Sequence, residues 1–196
     1  MTVLGVAAGG VSALFLSGLL PVGPRLGGAI TIDGWTSDWS IGSQAANPYV
    51  RARIARHGLL AMRKEEAVYF TRNQDDQGRR LTEDCTYSVS GGALPAEWWS
   101  ITLYDSESRL PMNEDNQLSF DKTDAEQSFS ASSDWTFEVR VQDPADLSQP
   151  WVSNRAAGAF DLMLRLYRPS AGMLKSPTTV LEPPSITRVS CDGEVP

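Results

Sequence analysis

WTFEVRV (135–141), FDLMLRLY (160–167) and WWSITLY (98–104) each alternate apolar and polar side chains with a period of two. Trp135, Phe137, Val139 and Val141 share one face of the first run, with Thr136, Glu138 and Arg140 opposite. Phe160, Leu162, Leu164 and Leu166 do the same in the second, and Trp99, Ile101 and Leu103 oppose Trp98, Ser100, Thr102 and Tyr104 in the third. Side chains of an extended strand point alternately to opposite faces, so all three are half-buried strands. AVYFTRN (67–73) and CTYSVSGG (85–92), parted by the turn-like NQDDQG (73–78), add two more. Loops rich in Gly, Pro, Asn and Asp lie between them. The pattern predicts a mainly β domain, an antiparallel sandwich or jelly-roll-like fold with one helix packed on it.

Upstream the chain changes character. Residues 3–22 read VLGVAAGGVSALFLSGLLPV, and the first charged side chain is Arg25. About twenty apolar residues cross a hydrocarbon layer as a helix. A cleaved signal peptide would want a basic start and a small-residue cleavage site, and MTV offers no basic group. A retained transmembrane anchor over 1–24 is therefore the preferred reading. Gly5, Gly9 and Gly10 either admit a neighbouring membrane helix or are tolerated in a lone span. Residues 25–46, rich in Gly and Ser, read as a linker or collar before a domain over 47–196. Trp35 and Trp39 in that collar either sit at the membrane interface or pack under the domain.

Asn47-Pro48 is a helix-start signal, and YVRARIARHGLLAMRKEEA (49–67) carries Val50 and Ile54 one turn apart, with Gly58 weakening or dividing the helix. Arg51, Arg53, Arg56, Arg63 and Lys64 make this helix basic on a chain of 196 residues whose formal charge is -7. The basic face suits anionic lipid headgroups or an acidic partner, or is a solvated face paired with nearby carboxylates. The acidic balance and the lack of any nucleic-acid motif exclude nucleic acid as a partner class, since that affinity comes largely from Lys and Arg on phosphates.

Cys85 and Cys191 are the only cysteines. With no CxxC spacing and a single histidine they make no zinc site. They are either a disulfide, which places the domain in an oxidising space such as a periplasm, or two unrelated thiols.

WWSITLYDSESRLPMNEDNQLSF (98–120) resembles the signature of the bacterial DUF1214 domain family, which runs Trp-Ser-x-Thr-Leu-Tyr-Asp, an Asn-containing turn, then Arg-Tyr-Ser. CTYSVSGG and PAEWWS (95–100) upstream, and FDLMLRLYRP (160–169) with PPSITRV (183–189) downstream, extend the likeness over roughly residues 45 to 192. ANPYVRARIARHGLLAMRKEEAVYF (46–70) is similar to the helix that precedes the sheet in short, membrane-anchored members. Ser108 and Arg109 replace the family's Gly and Phe, Gln117-Leu118-Ser119 replaces Arg-Tyr-Ser, and Pro150-Trp151-Val152-Ser153 replaces Asn-Trp-Leu-Pro. The resemblance implies a β-rich fold and frequent company with a DUF1254 domain, and no established reaction.

Little in the chain points to chemistry. His57 lies alone in the basic helix, and no GxSxG elbow or phosphate-binding glycine loop exists. Glu97 beside Trp98 and Trp99 is the best placed carboxylate for a glycan site, since aromatic faces stack on sugar rings. Asp121, Asp124 and Glu126, with Glu114 and Asp115, lack the spacing of a calcium loop. No catalytic residue, cofactor or metal is expected. Trp98, Trp99, Tyr104, Asn113, Ser119, Trp151, Arg51, Arg53 and Arg56 are the candidate ligand or partner contacts. Two functions fit: a non-catalytic binding or accessory module, single-pass in a bacterial inner membrane with its domain in the periplasm, or a periplasmic enzyme using a carboxylate pair on a glycan or lipid.

Overall fold

A computed structural model describes residues 9–12, 15, 29–42, 62–129, 133–142 and 149–191. Among the described residues ten strands form two sheets: β1 (Ala29–Ile32), β2 (Trp35–Asp38), β3 (Ala67–Arg72), β4 (Cys85–Gly91), β5 (Ala96–Asp105), β6 (Ser119–Asp121), β7 (Trp135–Arg140), β8 (Trp151–Ser153), β9 (Phe160–Pro169) and β10 (Ser185–Cys191). The large sheet runs β1-β2-β3-β9-β5-β6 and the small one β10-β4-β7-β8.

The long β5 and β9 form the centre of the large sheet, with Trp99 opposite Leu166, Ile101 opposite Leu164 and Leu103 opposite Leu162. These six are almost wholly buried, and each fully buried leucine is worth about 1.5–3 kcal/mol. They face the small sheet directly. Trp99 of β5 stacks on Trp135 of β7 at 4.7 Å, Phe120 of β6 on Phe137 of β7 at 4.5 Å, and Tyr87 of β4 meets Phe160 of β9 edge-on at 5.8 Å. Gly91 has no side chain because a Cβ there would stand 2.7 Å from the Trp135 ring.

The mainly β expectation holds, with three differences. First, β7 and β8 pair in parallel, so the small sheet is mixed rather than purely antiparallel. Second, the expected collar is part of the domain. Residues 29–38 form a hairpin through Asp33 and Gly34, both at positive φ (46° and 82°), and β2 joins β3 at Thr36 opposite Thr71. Trp35 is wholly buried and its indole N–H donates to the Pro184 carbonyl at 2.7 Å, while Trp39 rests 6.3 Å from Phe70. Both tryptophans pack with the domain rather than at a membrane interface. Third, the tail of the basic segment is a turn: Glu66 and Ala67 N–H groups both donate to the Arg63 carbonyl as the chain enters β3.

Of the proposed span 3–22, residues 9–12 and 15 are described, all helical and exposed. Among the described residues no helix is long and apolar enough to cross a membrane, and the rest of the span lies outside them. The basic helix over 47–61, with Arg51, Arg53, Arg56 and His57, also lies outside the described residues.

Cys85 and Cys191 form a disulfide at directly paired positions of β4 and β10. It closes a loop of 106 residues in sequence separation, worth up to about 4.7 kcal/mol in the chain-entropy account.

Candidate functional site

The outer face of the large sheet is built by the other half of the same alternation. Residues directly opposite in antiparallel strands share a face. Tyr69 of β3 pairs with Arg165 of β9, which pairs with Ser100 of β5, which pairs with Asp121 of β6. One step along, Thr36, Thr71, Met163, Thr102 and Ser119 form a second row. Trp98 opposite Tyr167 bounds the face at one end and Tyr104 opposite Asp161 at the other.

Arg165 sits at the centre, half-buried. Its guanidinium donates to Tyr104 Oη and, at 3.4 Å, to Thr102 Oγ1, with its central carbon 5.4 Å from the centroid of the Tyr104 ring. Trp98 leans on Tyr167 at 5.2 Å and points its indole N–H at Thr123 Oγ1, 3.4 Å away. Ser100 and Thr102 are buried although they lie on this outer face. Burial, the neighbouring Tyr167 and Glu66 push the Tyr69 hydroxyl pKa up, with Arg165 opposing. The rim is charged: Arg168 with Glu97 at 3.2 Å at one end, Arg80 with Asp161 at 2.9 Å at the other. The centre is therefore aromatic and hydroxylic around one cation, and the ion pairs stand at its edge.

A second feature is a cavity of about 370 Å³ at one end of the two-sheet stack. Trp99, Trp135, Leu94 and Phe129 line it, with Lys122 and Glu126 among its polar groups. Trp135 already donates its indole N–H to the Gly92 carbonyl at 2.8 Å, and Lys122 pairs with Glu126 at 3.5 Å.

A third is a polar knot at the small sheet. Asp115 accepts from Ser153 Oγ at 2.6 Å and Arg155 Nε at 2.9 Å, and Asn113 Nδ2 donates to the Arg155 carbonyl at 2.9 Å. The Ser153 hydroxyl, then Arg155, hold the Asp115 carboxyl below its usual pKa range. The base beside Ser153 is Asp115 itself, a carboxylate made weaker by its lowered pKa, and these contacts tie Asn113 and Asp115 to β8 and Arg155.

The structure thus gathers Trp98, Tyr104 and Ser119 onto one face, and separates the other candidates. Trp99 belongs to the core, Asn113 to the polar knot, and Trp151 to β8 beside Glu138. Glu97 is an exposed partner of Arg168. Asp121 and Asp124 form a reciprocal capping box on the helix Lys122–Ser128. Burial comes first in raising the Asp124 pKa. Among the described residues no group of three acidic, His or Cys side chains is placed to hold a metal. Sequence reasoning missed Tyr69, Met163, Arg165 and Tyr167. For Met163, Arg165 and Tyr167 the signal was the polar half of FDLMLRLY, of which only the apolar half was read, and that for the fold.

The face lies within a recognisable domain. Residues 66–171 match the model of a family described as "Protein of unknown function (DUF1214)", more than half of the chain. The chain belongs to the DUF1214 family. Every residue at the centre of the face falls inside the matched DUF1214 region, whereas β1, β2, β10 and Cys191 fall outside it. A similar fold occurs in the crystal structure of the VPA0106 protein from Vibrio parahaemolyticus, at 20% identity and TM-score 0.57. That match covers 74% of this chain and 36% of the other, so the DUF1214 chain spans about a third of its solved relative. A putative uncharacterized protein from Burkholderia cenocepacia matches at 13% identity and TM-score 0.43, over 63% of this chain and 29% of that one. No curated protein matches.

Proposed function

We propose that this DUF1214 chain is a non-catalytic binding or accessory module that docks a partner protein through the outer face of its large sheet. Its domain lies in the periplasm, carried on the bacterial inner membrane by residues 3–22. The partner is another membrane or periplasmic protein, a DUF1254-type protein being the first to try.

The observation that carries this reading is the anatomy of the face. Protein interfaces are enriched in Trp, Tyr, Met and Arg at their centres and depleted in Lys, Glu and Asp, with charges at the rim. Tyr69, Met163 and Arg165 lie in the middle here, Trp98 and Tyr167 flank them on one side and Tyr104 on the other, and the Arg168–Glu97 and Arg80–Asp161 pairs stand at the ends. The Cys85–Cys191 disulfide supports an oxidising compartment. The apolar run 3–22 supports the anchor.

The test is affinity purification of the natively expressed, tagged chain in mild detergent, sized on a native gel and read by mass spectrometry. Co-purification with a defined protein at fixed stoichiometry, lost on replacing Trp98 and Tyr167 together by Ala, is the expected result. A clean monomer would reject the accessory role.

A further inference from the structure

We propose that Arg165 is the point on this face that receives a carboxylate, the side chain of a Glu or Asp on the partner protein. The inference rests on the docking reading and names the chemistry of what docks.

Several arginines elsewhere in the described structure meet carboxylates. Arg72 pairs with Asp76 at 2.8 Å, Arg79 with Asp75 at 2.7 Å and Arg155 with Asp115 at 2.9 Å. Arg165 does not. Its polar partners are two hydroxyls, those of Thr102 and Tyr104. A guanidinium carries five N–H donors in a planar fork and has no neutral form to retreat to. Two donors are engaged here, and among the described residues the rest have no protein acceptor.

The carboxylates nearby along the sheet are committed elsewhere. Asp121 lies two strands away in the same row, about 9–10 Å at ordinary strand spacing, and its side chain accepts from the Thr123 and Asp124 N–H groups. Glu66 accepts from the Arg63 N–H at 3.1 Å. Asp161 pairs with Arg80.

A half-buried cation surrounded by rings and hydroxyls is poorly screened by solvent, so an incoming opposite charge is felt more strongly than at an open surface. The fork accepts a carboxylate through two parallel hydrogen bonds, which also fixes its orientation. Tyr104 and Thr102 hold the guanidinium in place beforehand, so less side-chain freedom is lost on binding. The aromatic surround and charged rim favour a protein as the carrier of that carboxylate.

The experiment uses the full chain in detergent micelles with ¹⁵N-labelled arginine, titrated with N-acetylglutamate N-methylamide and, separately, with its glutamine counterpart. The Arg165 Nε–H signal, identified by its absence in R165Q, should shift saturably with the glutamate probe and at least fivefold more weakly with glutamine. The Tyr104 ring signals should follow it, the response vanishing in R165Q and persisting, weakened, in R165K. Equal response to both probes, or ring shifts that survive in R165Q, would overturn the proposal. Glucuronate binding tenfold or more tightly than the glutamate probe would overturn the protein source in favour of an acidic sugar. Co-purification separates the two readings: a partner retained equally by wild type and R165Q removes the carboxylate contact and leaves docking intact. A monomeric wild type that still answers the glutamate probe removes docking and leaves the contact intact.

Discussion

Trp98 and Trp99 are adjacent in sequence and live in different chemistry. Trp99 is buried, stacked at 4.7 Å on a tryptophan of the opposing sheet, with Leu166 opposite it on β9. Trp98 stands on the outside, half-buried against Tyr167, its indole N–H turned to a threonine hydroxyl. The same contrast runs the length of β5 and β9. The inner row is hydrocarbon packed on hydrocarbon, where volume matters and hydrogen bonding does not. The outer row keeps its large rings but adds hydroxyls and one arginine, groups whose value lies in direction. One strand pair therefore encodes the fold on one side and carries the proposed docking face on the other, and the two sides should answer mutation differently.

The sharpest break is Trp99→Ala against Trp98→Ala. The first opens a cavity in the core and should cost about 3–5 kcal/mol, the second about 1 kcal/mol, both read by urea denaturation with the disulfide intact. Equal losses would abolish the distinction between the faces. Next in size is the disulfide: Cys85→Ser with Cys191→Ser should cost about 2–5 kcal/mol, read as the shift in thermal midpoint of the double variant. Because the pair ties the small sheet alone, the outer-face probe response should survive it in whatever fraction stays folded.

Acid comes third. Burial works to raise the Asp75 pKa, but the Arg79 and Gln77 N–H groups and the Arg79 side chain outweigh it and leave the value lowered. Asp115 is lowered as well, by Ser153 and Arg155. Both carboxylates bind protons less readily folded than unfolded, so unfolding takes up protons in acid. Their stabilisation is present above the ordinary carboxylate pKa of about 4 and is lost as pH falls through the lower folded values. Asp75→Asn should cost about 1–2 kcal/mol at neutral pH and flatten the acid limb of a stability–pH curve. The smallest effect on stability sharpens the comparison most. Arg165→Gln should change the unfolding free energy by no more than about 0.5 kcal/mol while removing the carboxylate response.

The inner rows were fully legible because a period of two over six or more residues has one physical meaning when one face is buried. The β1–β2 hairpin was legible too, and was passed over. Ile32-Asp33-Gly34-Trp35 carries the Asp-Gly pair that a tight turn with two positive φ values demands, but its Gly- and Ser-rich surroundings read as linker. The parallel β8 was not legible, since Trp151–Ser153 is three residues and its partner is chosen by tertiary packing. Two cysteines suggest a bridge, but only the β4–β10 register puts Cys85 opposite Cys191. Arg165 was in plain view within an alternating strand. That it meets no acidic partner among the described residues was not, because that depends on where Asp121, Asp161 and Glu66 are engaged.

The disulfide also decides how the chain would carry mechanical load. Tension applied at residues 1 and 196 passes through the Cys85–Cys191 bond and bypasses everything between. Even with every strand pulled apart, the residues outside that loop, about 90 of them, extend to roughly 300 Å, against about 650 Å for an unbridged chain of the same length. The centre of the outer face, from Trp98 to Tyr167, lies wholly inside the bypassed loop, save Tyr69. A module tethered at one end and tugged at the other would thus unravel its first strands, β3 with Tyr69 among them, while the β5 and β9 part of the outer face never feels the force along its own backbone.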